Sequence, residues 1–432
     1  MKNSRYSHDK TLGFLFVSEC RSFVSLVFCM LRIQWLSGEE ITRITDRSFL
    51  GAGSNWIQIL KRHLHGLTGF SRFRQRLLYD SIQLEDAEIP PDGTLQLVIL
   101  PLVEGHLEEL FQMTREDDVQ QLEDLLQQQV DPNLMENGQT ALHVAVQIGS
   151  SRCCSLLIEA RADMHTTRFD HLSPLHLAVE EDQLEVLQVL LHWGVDKDQP
   201  LPTGATPLFL AASMGHLEMV RALIEAAADI NQPIHQGSSP LFTACRQGRV
   251  DICRLLLQAR AEMERAIMAN GATALIVASA RNHLEIVRLL IEAGANKENS
   301  CTDGATALFV ASEGNYLEIV NLLVQAGADK DKALETTGKT PLIVAAEQGQ
   351  LETLCYLMKA GANIQKKSSE GLTALDFAVR GGHSNIVELL AAETTAQSES
   401  GAGQLDVKKG SRCIQFTWVC SNIWFIDASR CW

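Results

Sequence analysis

Aromatic side chains are scarce in this 432-residue chain, at 6% of the total. Basic side chains are also in the minority, because 37 Lys and Arg stand against 53 Asp and Glu and leave a net charge of −16. Few aromatics are typical of helical units built from leucine and alanine. The acidic balance argues against the basic stripe that a nucleic-acid surface needs, so we expect protein partners and no nucleic acid.

Long hydrophobic runs and paired cysteines are missing as well. No run of eighteen apolar residues occurs, so we expect no membrane-spanning helix. The eleven cysteines are scattered without a Cys-x-x-Cys pair or zinc-finger spacing, which favours reduced thiols in a cytosolic or nuclear protein. The motifs of P-loop, dinucleotide-binding, zinc-protease, serine-hydrolase and kinase sites are absent. The sequence therefore predicts no enzyme, no metal and no cofactor.

A triplet reading Thr-Pro-Leu, or a close variant, recurs every 33 or 34 residues. Its eight copies begin at Thr140, Ser173, Thr206, Ser239, Thr273, Thr306, Thr340 and Thr373. A fixed period of this length is typical of a solenoid of stacked supersecondary units. Such a stack presents a long surface and no deep pocket, which makes protein binding the expected function.

Three other positions repeat with the triplet. An alanine stands five residues after its first residue and a leucine seventeen residues after it, while the ninth position is always Gly, Asn or Asp. The alanines allow close helix approach, and the leucines supply apolar area that one unit cannot bury alone. Gly, Asn and Asp tolerate a left-handed backbone. Each unit is therefore predicted to be a short helix, a tight turn, a longer helix and an extended loop.

This pattern resembles the ankyrin repeat. The best matches are TPLFLAASMGHLEMVRALIEAAADIN from Thr206 and TALIVASARNHLEIVRLLIEAGANKE from Thr273. The family's histidine, three residues after the threonine, survives only as His143 and His176. Residues 107–133 keep the helical pattern without the triplet and look like a polar N-terminal capping unit. The resemblance implies an α-solenoid over 107–392, with eight full repeats and this capping unit.

Residues 30–103 do not repeat. Two short strands, a helix with Ile57, Leu60 and Leu64 on one face, and two further strands predict a small mixed sheet crossed by the helix. The segment QRLLYDSIQLED, from Gln75, resembles ubiquitin. The resemblance implies an α+β β-grasp domain.

Ubiquitin's apolar recognition patch corresponds here to Leu36, Leu78 and Val98, with Arg76 beside it. The terminal glycines needed for conjugation are replaced by Pro101-Leu102-Val103-Glu104. The resemblance therefore implies a domain that docks a ubiquitin-pathway or proteasomal receptor and is not itself conjugated. Two alternatives stay open: a plain ankyrin scaffold in which this domain is a structural cap, and a substrate-receptor subunit of a ubiquitin ligase.

The loop tips, or fingers, that precede the triplets are the predicted partner site. Five residues before the triplet, where polar residues are usual, the chain has Leu201, Ile234, Met268 and Cys301, with Phe169 near one end and His235 at the border. Neighbouring fingers lie side by side, so these residues predict a contiguous apolar row, which is a protein-binding signature. The alternative is that the side chains fold back and are partly buried.

The two ends of the chain have no predicted fold. Residues 1–29 are an N-terminal segment of uncertain character, without a clear signal-peptide cleavage site. Residues 393–432 begin as a flexible linker of small residues and end in an apolar tail with three of the six tryptophans. That tail is a candidate docking peptide or pairing strand. We expect the whole chain to be a monomer.

Overall fold

The computed structural model describes residues 31–35, 37, 39–44, 56–79, 82–84, 93–103 and 105–400. The predictions for residues 1–29, for Leu36 and for the tail beyond residue 400 lie outside these described residues. The chain divides into two compact units. Unit 1 comprises the described residues up to Glu136 together with Ser155–Asp163. Unit 2 comprises Asn137–Cys154 and the described residues from Met164 onwards.

Unit 1 begins with a mixed five-stranded sheet. Its elements are β1 Leu31–Trp35, β2 Glu40–Ile44, α1 Trp56–Thr68, a 3-10 turn Arg72–Arg74, β3 Gln75–Tyr79, β4 Ile82–Gln83 and β5 Gly93–Ile99. The strand order is β2-β1-β5-β3-β4. The β1–β5 pair is parallel and the other three pairs are antiparallel. The two-residue β4 has no counterpart among the strands predicted from the sequence.

The core of the sheet lies under α1. Ile57, Leu60 and Leu64 share one helix face because they are three, four and seven residues apart. They pack against apolar strand residues that face the helix, namely Ile33, Leu77, Leu95 and Leu97. Unit 1 continues with the helix pair α2 Leu107–Arg115 and α3 Val119–Gln127, which buries Leu110, Phe111, Leu122 and Leu126.

Helix pairs also make up the rest of the described chain. The short segments β6 Met135–Glu136 and β7 Gln139–Thr140 come first. The helices are α4 Ala141–Gln147, α5 Ser151–Glu159, α6 Pro174–Glu180, α7 Leu184–His192, α8 Pro207–Met214, α9 Leu217–Glu225, α10 Pro240–Gln247, α11 Val250–Gln258, α12 Ala274–Ala280, α13 Leu284–Glu292, α14 Ala307–Glu313, α15 Leu317–Gln325, α16 Pro341–Glu347, α17 Leu351–Lys359, α18 Ala374–Gly381 and α19 Ser384–Ser400.

The three repeating positions adopt their predicted roles in every copy. All eight alanines of the fifth position are buried, namely Ala145, Ala178, Ala211, Ala244, Ala278, Ala311, Ala345 and Ala378. The leucines of the seventeenth position are buried too, namely Leu157, Leu190, Leu223, Leu256, Leu290, Leu323, Leu357 and Leu390. The turn residues all have positive φ, namely Gly149, Asp182, Gly215, Gly248, Asn282, Asn315, Gly349 and Gly382.

The last helix is longer than the sequence predicts. Residues 393–400 were expected to start a flexible linker, but α19 continues through them to Ser400. Ala391, Ala392 and Glu393 have high intrinsic helix propensity, so the helix extends beyond the last buried leucine, Leu390. Within the described residues, no helix is long and apolar enough to cross a membrane.

Buried histidines hold the starts of two short helices. The Nδ1 atom of His143 lies 2.8 Å from the Thr140 hydroxyl and accepts from its backbone N–H at 3.3 Å. His176 contacts the Ser173 hydroxyl at 2.7 Å. Both rings are buried, and this burial lowers the pKa of each imidazole to about 4. The histidines are therefore neutral structural groups at pH 7.

We expect His176→Gln to remove part of the acid sensitivity of the fold. The pKa of His176 is lower in the folded state than in the unfolded state. The neutral imidazole therefore makes its full contribution to the free energy of unfolding above pH 6.5, and this contribution is lost as the pH falls towards 4. Between pH 7 and pH 5, protonation of His176 should lower the free energy of unfolding of the wild type by about 2 kcal/mol. The variant lacks this imidazole and should not show that part of the loss. Glutamine keeps a capping side chain at this position. Urea unfolding at both pH values measures the difference, and equal losses in the two proteins would contradict it.

Candidate protein-binding surface

The finger residues fall into two rows in unit 2. In the first row, the backbone N–H of each residue donates to a carbonyl at 2.9–3.0 Å. The acceptor is the residue immediately before the N-cap of the helix that follows the finger. This inner row is Arg168, Leu201, Ile234, Ile267, Cys301, Leu334 and Ser368. Most of its side chains are half-buried. Cys301 and Leu334, for example, pack against Phe309 and Val344. The inner row therefore contributes chiefly to packing between fingers and helices.

The next residue of each finger forms an outer row, which consists of Phe169, Pro202, His235, Met268, Thr302, Glu335 and Ser369. From His235 onwards, each backbone N–H donates to a carbonyl of the preceding finger at 2.9–3.1 Å. These bonds place successive fingers side by side. Phe169 and Met268 are 82% and 78% exposed, so the outer row carries the accessible apolar area.

Glycines of the preceding fingers make room for the outer row. A Cβ on Gly138 would overlap the ring of Phe169, and one on Gly237 would lie 3.2 Å from Cγ of Met268. Gly237 also has a φ of +85°, which glycine adopts without strain. The outer side chains therefore lie over bare backbone and keep their other faces open.

The six predicted finger residues do not lie in one row. Phe169, His235 and Met268 belong to the outer row, whereas Leu201, Ile234 and Cys301 belong to the half-buried inner row. The partial burial that was the alternative interpretation thus applies to the second group. Burial, with the Asp303 carboxylate as a smaller cause, also raises the pKa of the Cys301 thiol.

The one-residue insertion before Thr273 explains why Met268, predicted in line with Leu201 and Ile234, lies in the outer row. In most fingers the glycine N–H donates to the inner-row carbonyl three residues earlier, as from Gly204 to Leu201 at 2.7 Å. In the inserted finger the donor is Gly271 and the acceptor is Ile267, four residues earlier, at 2.9 Å. Because this finger has one extra residue, the position five residues before Thr273 is Met268, whereas the structural equivalent of Leu201 is Ile267, six residues before Thr273.

The described residues of the predicted ubiquitin-like patch share one face of the sheet. Arg76 on β3 lies directly opposite Val98 on β5, and Leu78 lies opposite Gln96. Alternate residues of a strand point to the same side, so Arg76, Leu78 and Val98 lie together. Arg76 is exposed, whereas Leu78 and Val98 are half-buried. This face is opposite the one that carries the buried Leu77 and Leu97.

An unpredicted ion-pair cluster lies elsewhere in unit 1. Nη2 of Arg72 is 2.9 Å from Oε1 of Glu123 on α3, and its Nε donates to Glu159 on α5. Arg62 of α1 also contacts Glu159, at 3.2 Å. The guanidinium of Arg72 lies 4.1 Å from the centre of the Phe73 ring. No sequence motif marks these contacts, because the partners are 51 and 87 residues away.

The described part of the chain contains His, Cys, Asp and Glu side chains, which are the residue types that bind metals. No group of three or more His, Cys, Asp or Glu side chains there could hold a metal ion. The thiols of Cys245 and Cys253 are 3.6 Å apart, but both are buried. Burial, followed by the contact with Cys253, raises the pKa of the Cys245 thiol, which disfavours the reactive thiolate.

The family model for ankyrin repeats, in sets of three copies, matches residues 110–200, 194–267, 262–334 and 330–399. No curated protein matches the chain. Among solved structures, the human ASB11 ankyrin repeat domain is 28% identical, covers 51% of this chain and 98% of its own, and has a TM-score of 0.46. The family matches together span residues 110–399, well over half of the chain, so this protein belongs to the ankyrin-repeat family.

Proposed function

We propose that this protein is a non-enzymatic adaptor that binds a protein partner through the outer row of its fingers. The observation that carries the proposal is the exposure of Phe169 and Met268, at 82% and 78%. Large apolar side chains open to water are typical of protein-binding sites. The glycines beneath them let each side chain lie over bare backbone, with its other face open to a partner.

The double variant Phe169→Ser/Met268→Ser tests this proposal. Partners retained by the wild-type chain from a cell extract are identified, purified and titrated against both proteins. We expect at least a roughly tenfold loss of affinity, which corresponds to about 1.4 kcal/mol. The midpoint of urea unfolding should hardly change, because neither side chain is buried.

Val379→Ser is the matched control for this experiment. Val379 is a 60% exposed apolar residue of α18, outside the finger rows. Its replacement should leave affinity unchanged. Equal affinities of all three proteins would remove the outer row from the binding site.

We further infer that the sheet of unit 1 is a ubiquitin-like domain that docks a ubiquitin-pathway or proteasomal receptor. A small mixed sheet with one helix across it is the architecture that the sequence resemblance implies. Supporting the docking role, Arg76, Leu78 and Val98 share the face opposite the helix. Leu36, the fourth member of the predicted patch, lies outside the described residues.

Titration of the full chain against a panel of ubiquitin receptors, proteasomal ones included, tests this role. Leu78→Asp should weaken binding at least about tenfold, because it places a charge in an apolar contact. Leu67→Asp is the control, since Leu67 is 54% exposed on α1 and away from the patch. No receptor binding by the wild type, or equal loss with both variants, would contradict the receptor-docking role.

A structural cap is the second candidate for this domain, and the Arg72 contacts favour it. They join the 3-10 turn next to β3 with α3 and α5, and they leave the patch face unused. The two roles are therefore compatible in one unit. The receptor titration distinguishes the two possibilities, because a domain that acts only as a structural cap should not bind a receptor.

A further inference from the structure

The outer row changes character along its length. Its apolar members Phe169, Pro202 and Met268 come first along the chain, and the row becomes acidic at Glu335. The Glu335 N–H donates to the Asp303 carbonyl at 2.9 Å, so the acidic Asp303 and Glu335 belong to adjacent fingers. Both are exposed. The surface therefore offers an apolar contact followed by two carboxylates, in the direction of increasing residue number.

These carboxylates differ from the other acids near the finger tips. Asp170 is paired with Arg168 at 2.7 Å, and Glu370 with Arg380 at 3.1 Å. Within the described residues, no basic side chain lies within 4.0 Å of the carboxylates of Asp303 or Glu335. A cationic ligand that reached this part of the row would find two acids that no ion pair in the described chain already neutralises.

The segment that follows α19 has the complementary pattern. Lys408, Lys409 and Arg412 are followed by Ile414, Phe416 and Trp418, which alternate with the polar Gln415 and Thr417. Alternation with a period of two is typical of an extended segment with one apolar face. Along the chain, the basic residues of this segment come before its apolar residues.

The direction and length of the chain fit this pairing. Each second helix leads through a loop towards the next finger, as α13 leads to the finger of Cys301, so α19 ends on the finger side of unit 2. A segment returning from Ser400 would reach Glu335 and Asp303 before Met268. Packed helices are about 8–10 Å apart, so three repeats span about 30 Å. The extended chain rises about 3.3 Å per residue and covers this distance in about ten residues.

We propose that residues 407–419 of this chain bind its own outer finger row, with Lys408 and Lys409 at Glu335 and Asp303 and with Ile414, Phe416 and Trp418 along the row from Met268 towards Phe169. Phe169 and Met268 of this row also belong to the surface proposed for the protein partner. The contact itself does not depend on that partner.

Zero-length carbodiimide cross-linking of the full chain tests the contact. The reagent joins only amines and carboxylates in direct contact, and mass spectrometry locates the linkage. We expect links from Lys408 or Lys409 to Asp303 or Glu335, in a product of monomer mass whose yield is unchanged on tenfold dilution. Glu370, which Arg380 neutralises, is the internal control and should not be linked.

Two variants separate charge from apolar contact. Asp303→Asn/Glu335→Gln should abolish the links, and Ile414→Ser/Phe416→Ser/Trp418→Ser should lower their yield at least about fivefold while leaving the cationic residues in place. Links that are absent in the wild type, or unaffected by the apolar variant, would overturn the proposal. Links that disappear on dilution would overturn it in favour of a second copy. Loss of partner binding in Phe169→Ser/Met268→Ser is an independent result, so the two proposals can fail separately.

Discussion

Replacing Arg72 by alanine should lower the free energy of unfolding of unit 1 by about 3–5 kcal/mol. The Arg72 side chain is only 6% exposed and contacts two carboxylates that are themselves 22% and 15% exposed. Removing the guanidinium leaves Glu123 and Glu159 partly buried, with less compensation for their charges. The penalty is the desolvation of those charges, which the ion pair offsets in the wild type. Amide hydrogen exchange in β3 and α3 reports the stability of unit 1 separately from the rest of the chain.

Arg62→Ala provides the matched comparison because Arg62 also contacts Glu159. Its side chain is 54% exposed, so solvent screens the pair and the loss should be below about 1 kcal/mol. Adding Glu123→Gln and Glu159→Gln to Arg72→Ala should recover part of the stability, since neutral amides cost less to bury than unpaired carboxylates. Equal effects of the two arginine substitutions, or no recovery in the triple variant, would show that the Arg72 cluster does not hold unit 1 together.

The Arg72 cluster also shows where sequence reasoning ends. The repeat positions could be predicted because each depends on local geometry that recurs every 33 or 34 residues. The turn at Asn282 and the buried Leu290 follow from periodicity alone. Arg72 carries no such signal, because its partners are set by how separate elements pack. A long-range ion pair between single residues occurs once and leaves no repeating pattern in the sequence from which it could be predicted.

The finger surface was partly predictable for the same reason. Its place in the repeat followed from the period, and the apolar character of Phe169 and Met268 is visible in the sequence. The division into two rows was not, because one residue decides whether a finger side chain packs inward or faces solvent. The insertion before Thr273 shifted the register by that one residue, and the hydrogen bonds of this finger, such as that from Gly271 to Ile267, locate it.

Leu290→Ala in α13 should destabilise unit 2 by about 3 kcal/mol, as expected for deleting a fully buried leucine side chain. Leu290 is 0% exposed, so the loss combines lost burial with an unfilled cavity. The neighbouring Leu289 is half-buried, and Leu289→Ala should cost less than half as much. Urea unfolding followed by circular dichroism measures both. Similar losses would mean that the repeating leucines do not define the core.

The position of a leucine along the stack should matter as much as its burial. Leu390 has the same place in its repeat and is 1% exposed, but its helix, α19, is the last of the described chain. In a stack where each repeat contacts only its neighbours, a central loss weakens the interfaces on both sides, whereas a terminal loss weakens one. Leu390→Ala should therefore raise hydrogen exchange mainly in α16 to α19, while Leu290→Ala should raise it in α10 to α15. An identical, chain-wide increase in both variants would contradict nearest-neighbour coupling and favour unit 2 unfolding as one cooperative block.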